Sequence, residues 1–293
     1  MYTTYQNLYK QLTNIYPLNE AKAIVRMVLE DRFGLTLADI YTDKVTQLSA
    51  DDASKLEKIM LRLAKGEPVQ YVLGSVTFCG RQFGVAPGVL IPRPETELLC
   101  EWVTKSYNEP YCALQPPTPL RVLDVGTGSG CIAVTLSLDM PNTVVSACDI
   151  SPEALLIARD NAIRLGAAVN FQLKDALQLA ATEETFDIIV SNPPYICDSE
   201  RTEMMRNVLE YEPLTALFVP DDDPLRFYRS IAEYGTTALS HGGELYFEIN
   251  ARFANEVSAM LNALGYAEIE VRNDQFGKQR FVKAIRPWYK RNK

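Results

Sequence analysis

The residues best suited to chemistry in this chain are four in a row, Asn192, Pro193, Pro194 and Tyr195. They follow an apolar, β-branched run over 186–191 that has the length and composition of a strand. The two prolines fix φ and cannot extend a ladder, so the backbone after the strand is rigid. The Asn192 side-chain oxygen and the Pro193 carbonyl are hydrogen-bond acceptors, and Tyr195 supplies a ring. This arrangement suits a planar -NH2 group, although an Asn-Pro pair is also an ordinary way to end a strand.

A glycine-rich turn lies upstream of this motif. Gly126, Gly128 and Gly130 follow a predicted strand and open a predicted helix. Glycines allow a ligand to approach the backbone closely, and a helix N-terminus offers free N–H groups to an anionic group. The spacing is G-x-G-x-G with Cys131 next, whereas the dinucleotide fingerprint is G-x-G-x-x-G. A pyrophosphate cradle therefore fits poorly, and the helix end could meet a carboxylate instead.

Two carboxylates follow the next two predicted strands. Asp149 comes about 20 residues after the glycines, where a carboxylate can accept both hydroxyls of a ribose. Asp175 lies just past the third strand, where a carboxylate can accept from an exocyclic adenine amine. Each residue could equally be a cap, Asp149 of the helix that follows it and Asp175 of a short turn.

The elements that must position these residues alternate between strand and helix from Leu120 onward. Such alternation predicts an α/β fold with a mostly parallel, doubly wound sheet. The predicted strands cover 121–125, 143–149, 169–173, 186–191, 243–249, 268–272 and 280–285. The predicted helices cover 130–138, 152–165, 224–239 and 251–264, and a loop covers 108–119.

The first part of the chain has a different pattern. Apolar residues recur at helical spacing over 5–15, 21–29 and 56–63, with Asn19 and the segment 49–54 as helix starts. Residues 75–79 and 82–85 flank Gly80 and predict a β-hairpin, and a helix opens at Pro94. We therefore expect a helical bundle over 1–74, a hairpin linker over 75–90 and the α/β domain over 91–293. The bundle could recognise a partner or could only cap the larger domain.

Composition narrows the chemistry further. The 293 residues carry a formal net charge of -8, which disfavours a protein that follows a phosphate backbone. The basic C-terminal segment 286–293 is a local exception, or only a solvated tail. Six scattered cysteines and a single histidine, His241, in a loop-like position predict no metal site and a reducing, cytoplasmic environment. No apolar run or leader pattern predicts a membrane segment or secretion.

Several segments together resemble the release-factor glutamine methyltransferase family (PrmC/HemK type) of the class I, Rossmann-like S-adenosylmethionine methyltransferases. Besides Asn192 to Tyr195, these segments are 67–74, 91–97, 124–130, the late 247–249 and the helical front end. The resemblance covers nearly the whole chain. It implies transfer of a methyl group to the amide N5 of the glutamine in the Gly-Gly-Gln motif of class 1 peptide chain release factors.

The resemblance also assigns roles to individual residues. S-adenosylmethionine, with S-adenosylhomocysteine as product, would be held by Gly126, Thr127, Gly128, Ser129, Gly130, Asp149, Asp175, Ala176 and Asn192. Ala176 cannot stack on adenine as an aromatic residue would. Asn192, Pro193 and Tyr195 would be catalytic, and with Pro194 they would form the amide pocket. We expect the helical domain to bind the release factor, no stable nucleic-acid partner, and a monomer.

Other activities compete with this interpretation. An adenine-N6 nucleic-acid methyltransferase would use the same acceptors on an exocyclic amine, but would have to flip its base and hold a charged backbone. A nucleotide-dependent oxidoreductase and a non-enzymatic interaction protein are further alternatives. The glycine spacing disfavours the first of these, and the complete set of site residues disfavours the second.

Overall fold

The computed structural model describes residues 4–111, 118–179 and 184–288, with only the backbone of 108–111. Two compact units account for the chain, Met1–Val76 with Met204–Tyr211, and Thr77–Glu203 with Glu212–Lys293. The roles expected for the segments 1–74, 75–90 and 91–293 stay predictions. Cys112 and parts of the predicted loop (112–117) and basic tail (289–293) lie outside the described residues.

The first unit is helical, as the apolar spacing predicts. Its helices are α1 (Tyr5–Leu12), α2 (Leu18–Phe33), α3 (Leu37–Tyr41), α4 (Ala50–Leu63), α5 (Val69–Leu73) and α9 (Arg206–Tyr211). The apolar faces of α1 to α5 meet in one core that includes Leu12, Val25 and Leu63. Ser49 caps α4 by accepting from the Asp52 amide, whereas the prediction for Asn19 is wrong. Asn19 lies inside α2 because Pro17 already occupies the cap position.

The second unit contains a seven-stranded sheet. Its order is β10 (Ala267–Asn273), β11 (Gln279–Ile285), β9 (Leu239–Glu248), β6 (Phe186–Ser191), β3 (Leu120–Val125), β4 (Thr143–Asp149) and β5 (Val169–Leu173). The five strands β9, β6, β3, β4 and β5 run parallel to one another, whereas β11 is antiparallel to both β9 and β10. The predicted mostly parallel sheet is confirmed.

Helices cover both faces of this sheet. They are α6 (Pro94–Tyr111), α7 (Cys131–Asp139), α8 (Pro152–Leu165), α10 (Arg226–Ala238) and α11 (Ala254–Ala263). Phe247 belongs to the core that α10 and α11 cover, and its neighbour Tyr246 meets Trp102 of α6 edge to face. Successive residues of a strand point to opposite faces, so α6 and α10 lie on opposite sides. This is the predicted doubly wound arrangement.

Short elements complete the fold. β1 (Ser75–Phe78) pairs with β2 (Arg81–Gly84), as predicted, and β7 (Ile196–Cys197) pairs in parallel with β8 (Phe218–Val219). The predicted loop over 108–119 is wrong at its start, because α6 continues to Tyr111. α6 therefore includes Pro110, whose missing N–H removes one helical hydrogen bond, and it ends one residue later.

His241 lies in β9, not in a loop, and β9 begins earlier than predicted, at Leu239. Its Nδ1 lies 3.1 Å from the Pro287 carbonyl oxygen. The described residues contain no cluster of three or more His, Cys, Asp or Glu side chains placed to hold a metal ion. In the same ranges, no helix combines the length and apolarity needed to cross a membrane.

Candidate active site

Strand register brings the predicted site residues into one row. Val125 of β3 is the partner of both Cys148 of β4 and Ser191 of β6, and Ser191 is the partner of Phe247 of β9. The residues that follow these four in the chain are Gly126, Asp149, Asn192 and Glu248. The carboxyl ends of four neighbouring strands therefore present a glycine, two carboxylates and an amide side by side.

The row includes the point where the strand order reverses. From β3 the chain moves outward to β4 and β5 on one side, then returns to β6 on the other. Ligands of open α/β sheets bind at such a switch point. The Ser191 hydroxyl donates to the Val125 carbonyl at 2.6 Å, which fixes the two strand ends between which the glycine turn and Asn192 begin.

The glycine turn is built for close approach. Gly126, Gly128 and Gly130 have φ values of +74°, +55° and +82°, a region that favours glycine. A Cβ at Gly126 or Gly128 would meet nothing within 4 Å, so both face open space. A Cβ at Gly130 would lie 3.0 Å from that of Ala158, because the turn packs directly on α8. Gly126 and Gly128 thus line an open cradle, and Gly130 allows the turn to pack against α8.

Asp149 holds the cradle to β4. Its two carboxylate oxygens accept from the Gly128 amide at 2.8 Å and from the Ser151 amide at 2.9 Å. Ser151, not Asp149, caps α8 by accepting from the Ala154 amide, so the alternative role of Asp149 as the helix cap is wrong. A carboxylate offers about four lone-pair sites, so Asp149 retains acceptor capacity for ligand hydroxyls.

Asp175 and Ala176 lie beyond β5. Asp175 accepts from the Leu177 amide at 2.8 Å and from the Gln178 side chain at 3.0 Å, so the alternative role as a turn cap is confirmed. Its adenine contact stays a prediction. Ala176 accepts a hydrogen bond from the Ser230 hydroxyl through its backbone carbonyl and packs against the core below α10.

Thr127 and Ser129 are both buried, and their side chains differ in partners. Thr127 donates to Asp124 Oδ2 at 2.6 Å, so its hydroxyl serves the turn itself. The Ser129 carbonyl accepts from Asn161 of α8 at 2.8 Å, and its hydroxyl has no hydrogen-bond partner in the described part of the chain. The predicted cofactor role of these two residues therefore rests on backbone groups and on the Ser129 hydroxyl.

Asp124, in β3 directly before the glycine turn, was assigned no role from the sequence. It is fully buried, and its Oδ1 has no hydrogen-bond partner among the described residues. Burial raises the pKa of Asp124 to about 7, although the Thr127 hydroxyl and the Ala133 amide act in the opposite direction. Its Oδ2 accepts from Thr127 and from the Ala133 amide, so only Oδ1 is left to interact with a cationic ligand. An acid inside an apolar strand was the available signal, because buried carboxylates need partners.

Hydrogen bonds fix both ends of the motif Asn192 to Tyr195. Asn192 is half-buried, and its Nδ2 donates to the Thr96 hydroxyl at 3.2 Å. The Tyr195 hydroxyl donates to Glu248 at 3.0 Å, and the Tyr195 carbonyl accepts from Asn250 at 3.1 Å. Burial, together with the nearby Glu248 carboxylate, raises the pKa of Tyr195, so its hydroxyl stays protonated. What Tyr195 can offer a ligand is its ring.

Thr96 and Glu248 were not assigned roles from the sequence, although both lie in segments that carry the family resemblance. Glu248 is 1% exposed, and it accepts from Thr96 at 2.7 Å. Burial raises the pKa of Glu248, and the hydrogen bonds from Thr96 and Tyr195 lower it. Upstream of Thr96, buried Glu212 accepts from the Ile91 amide and from Arg93, which anchors the segment that leads into α6.

Comparison with known proteins gives the family. A model of the PrmC N-terminal domain matches residues 5–74, and a model of the methyltransferase small domain matches residues 112–211. A release factor glutamine methyltransferase of Bacteroides thetaiotaomicron is 48% identical over 278 residues, which cover 94% of this chain and 97% of the relative. The chain belongs to the release factor glutamine methyltransferase family. A second relative of that name, from Flavobacterium psychrophilum, is 40% identical over 93% of this chain and 94% of its own.

Solved structures agree on the fold. A Thermus thermophilus 16S rRNA methyltransferase (RsmC) aligns with a TM-score of 0.51 at 16% identity, over 72% of this chain and 49% of that one. The catalytic domain of hMettl16 aligns with a TM-score of 0.53 at 14% identity, over 72% and 77%. At these identities the likeness shows the class I methyltransferase fold alone. The predicted fold class and the family expectation are confirmed, and the oxidoreductase alternative is not supported.

The methyl donor of the family is S-adenosylmethionine, and the residues present fit it. The cradle of Gly126 and Gly128 is open, and Asp124 Oδ1, which has no hydrogen-bond partner among the described residues, belongs to the strand that leads into it. S-adenosylmethionine carries a sulfonium and an ammonium, which a nearby carboxylate such as Asp124 would stabilise. Asp149, which accepts two backbone amides, would have acceptor capacity left for the ribose hydroxyls. The sulfonium supplies an activated methyl group, so the protein contributes placement and electrostatics.

Proposed function

We propose that this protein methylates the side-chain amide nitrogen, N5, of the glutamine in the Gly-Gly-Gln motif of class 1 peptide chain release factors. The observation that carries the proposal is the register of Val125 with Ser191, which puts the glycine cradle and Asn192 at adjacent strand ends. A methyl donor and a planar amide would thus meet at one crevice. The relatives' shared name supports the choice of substrate.

In this proposal the acceptors Asn192 Oδ1 and the Pro193 carbonyl bind the two N–H bonds of the substrate amide. A carboxamide nitrogen is a weak nucleophile because its lone pair is delocalised. Two fixed acceptors would aim that nitrogen and stabilise the positive charge that grows on it, an interaction stronger in the transition state than before it. Orientation alone can contribute roughly 7 to 11 kcal/mol in ideal cases.

No strong base is required of the protein, because the attacked amide becomes very acidic as it is methylated. The arrangement of the site agrees with this. Tyr195 has its hydroxyl proton committed to Glu248, so it contributes a ring face against which the amide lies. His241 is at the beginning of β9, whereas the site follows its end. The proton would leave to solvent after transfer.

The helical unit would bind the body of the release factor. A groove lies on this unit between α1, the 3-10 helix Lys44–Gln47 and α4. Leu8, Val45, Leu56 and Met60 form its floor, and exposed Leu61 lies on its margin. The lining also includes the polar side chains of Gln11, Ser54 and Glu57. A groove with buried apolar side chains at its base, polar side chains around them and an exposed leucine supports a role in protein binding. We expect the enzyme to act as a monomer in the cytoplasm, which the free thiols of the five described cysteines also favour.

A nucleic-acid substrate is the second candidate, because the same acceptors could hold the exocyclic amine of adenine. The net charge of -8 is the observation against it. Incubation of the protein with radiolabelled S-adenosylmethionine and a release factor, DNA or RNA separates the two. We expect label in the release factor alone. Label in either nucleic acid and none in the release factor would overturn the proposal.

A further inference from the structure

The amide of Asn192 has two ends of nearly equal shape, of which only the oxygen can accept a hydrogen bond. The proposed function requires that oxygen to face the substrate. If the side chain turned over, its Nδ2 would confront the substrate -NH2, donor against donor. Something in the protein must therefore decide which way this amide points.

The directions of the two hydrogen bonds at Thr96 determine the orientation of the Asn192 amide. A threonine hydroxyl has one proton, and that proton is donated to Glu248 Oε2, 2.7 Å away. Thr96 can then only accept from the group on its other side, which lies at 3.2 Å. That group must be Asn192 Nδ2, because the amide oxygen has no hydrogen to donate. The bond to Glu248 thus selects one of the two amide orientations.

The second carboxylate oxygen of Glu248 binds Tyr195, at the other end of the motif. Glu248 Oε1 accepts from the Tyr195 hydroxyl at 3.0 Å. One buried carboxylate therefore holds Tyr195 directly and Asn192 through Thr96. As a carboxylate it has no proton of its own and can only accept. Thr96 lies in the first turn of α6, Asn192 directly follows β6, and Glu248 is the last residue of β9.

We propose that Thr96 and Glu248 are positioning residues that fix the Asn192 amide with its oxygen toward the substrate. This inference rests on the proposed function, because the orientation matters only if Asn192 binds an -NH2 group. Neither residue touches the reacting atoms. Their loss should reduce turnover and leave cofactor binding unchanged, since misplacement of a group near the chemistry can cost on the order of 10²-fold.

Thr96→Val tests the proposal, because valine keeps the shape and removes the hydroxyl. We expect kcat for release factor methylation to fall on the order of 10²-fold, with unchanged KM for the release factor and unchanged cofactor Kd. Thr96→Ser keeps the hydroxyl and should restore kcat. Thr135→Val, at a threonine of α7 that is equally buried, is the matched control and should behave as wild type. Wild-type kcat in Thr96→Val, or no rescue by serine, would overturn the proposal.

A second readout needs no substrate. Hydrogen exchange of the Asn192 side-chain -NH2, assigned in NMR spectra by its loss in Asn192→Asp, should be slow in the wild type and fast in Thr96→Val. Unchanged exchange would overturn the role of Thr96 even if kcat falls. If the wild-type protein methylates no release factor, the proposed function fails, and the exchange measurement still decides whether Thr96 fixes the amide.

Discussion

Asn192 Nδ2 donates to Thr96 Oγ1 across 3.2 Å, a bond that joins the end of β6 to the first turn of α6. This bond occupies the donor end of the amide and leaves the acceptor end for the substrate. The catalytic proposal therefore predicts separate effects on turnover and on cofactor binding when residues of the site are changed.

Substitution Asn192→Ala should abolish most turnover and weaken cofactor binding only modestly. Removal of one preorganised group that stabilises transition-state charge costs about 10²- to 10³-fold in kcat. Single-turnover rates and calorimetric titration with S-adenosylmethionine measure the two effects. A variant that keeps wild-type turnover would remove Asn192 from the mechanism.

Tyr195 offers its ring, so Phe and Ala should differ at this position. Tyr195→Phe loses the hydrogen bond to Glu248 and keeps the ring, and we expect most activity to remain. Tyr195→Ala loses the ring, and both KM and kcat for the release factor should worsen. Equal defects in the two variants would mean that the hydroxyl, not the ring, matters.

The two acidic residues assigned to the cofactor should also differ. Asp149→Ala removes the bond to the Gly128 amide as well as the ribose acceptor, so cofactor Kd should rise strongly. Asp175→Ala releases a turn and at most one adenine contact, so the rise should be smaller. Calorimetric Kd values for both variants give the comparison, and an unaltered Kd in Asp149→Ala would remove it from the cofactor site.

Cofactor binding should depend on pH through Asp124. Its folded pKa of about 7 is above the usual value, so the carboxyl is protonated below pH 7 and anionic above it. Affinity for the cationic cofactor should therefore increase as pH rises through 7. The free energy of unfolding should change in the opposite direction. The folded state binds this proton more tightly than the unfolded state, so this contribution to stability is lost as pH rises from about 4 to 7. Asp124→Asn should flatten the Kd profile, and a profile identical to wild type would contradict this role.

We expect the groove of the helical unit to affect binding of a full-length release factor but not of a short peptide substrate. Leu61 is 59% exposed on its margin, so Leu61→Lys should leave the fold intact. We expect a higher KM for a full-length release factor and no change for a short Gly-Gly-Gln peptide. Ile163→Lys, on the exposed face of α8, is a matched control. Equal KM values for the full-length substrate would place recognition elsewhere.

Much of this site could be predicted because chain order and strand ends are strong local signals. Gly126, Asp149 and Asn192 each follow an apolar strand, and parallel strands bring such positions together. Thr96 and Glu248 could not be placed, because their bond spans 152 residues of sequence and depends on tertiary packing. Asp124 is an acid within the apolar strand Val122 to Val125, which is a signal that the sequence contains. Only the structure shows that its Oδ1 has no hydrogen-bond partner among the described residues. The sequence offered Asp149 as a possible cap of α8, and only the structure shows that the Ser151 side chain accepts the helix amide instead.

The most direct test of the central claim is mass spectrometry of the Gly-Gly-Gln peptide from a class 1 release factor incubated with this protein and S-adenosylmethionine. The account predicts one added methyl group on the glutamine side-chain amide, absent when that glutamine is replaced by alanine and when the enzyme carries Asn192→Ala. An unmodified glutamine after reaction with the wild-type enzyme, or a methyl group that persists in the alanine control, would contradict it.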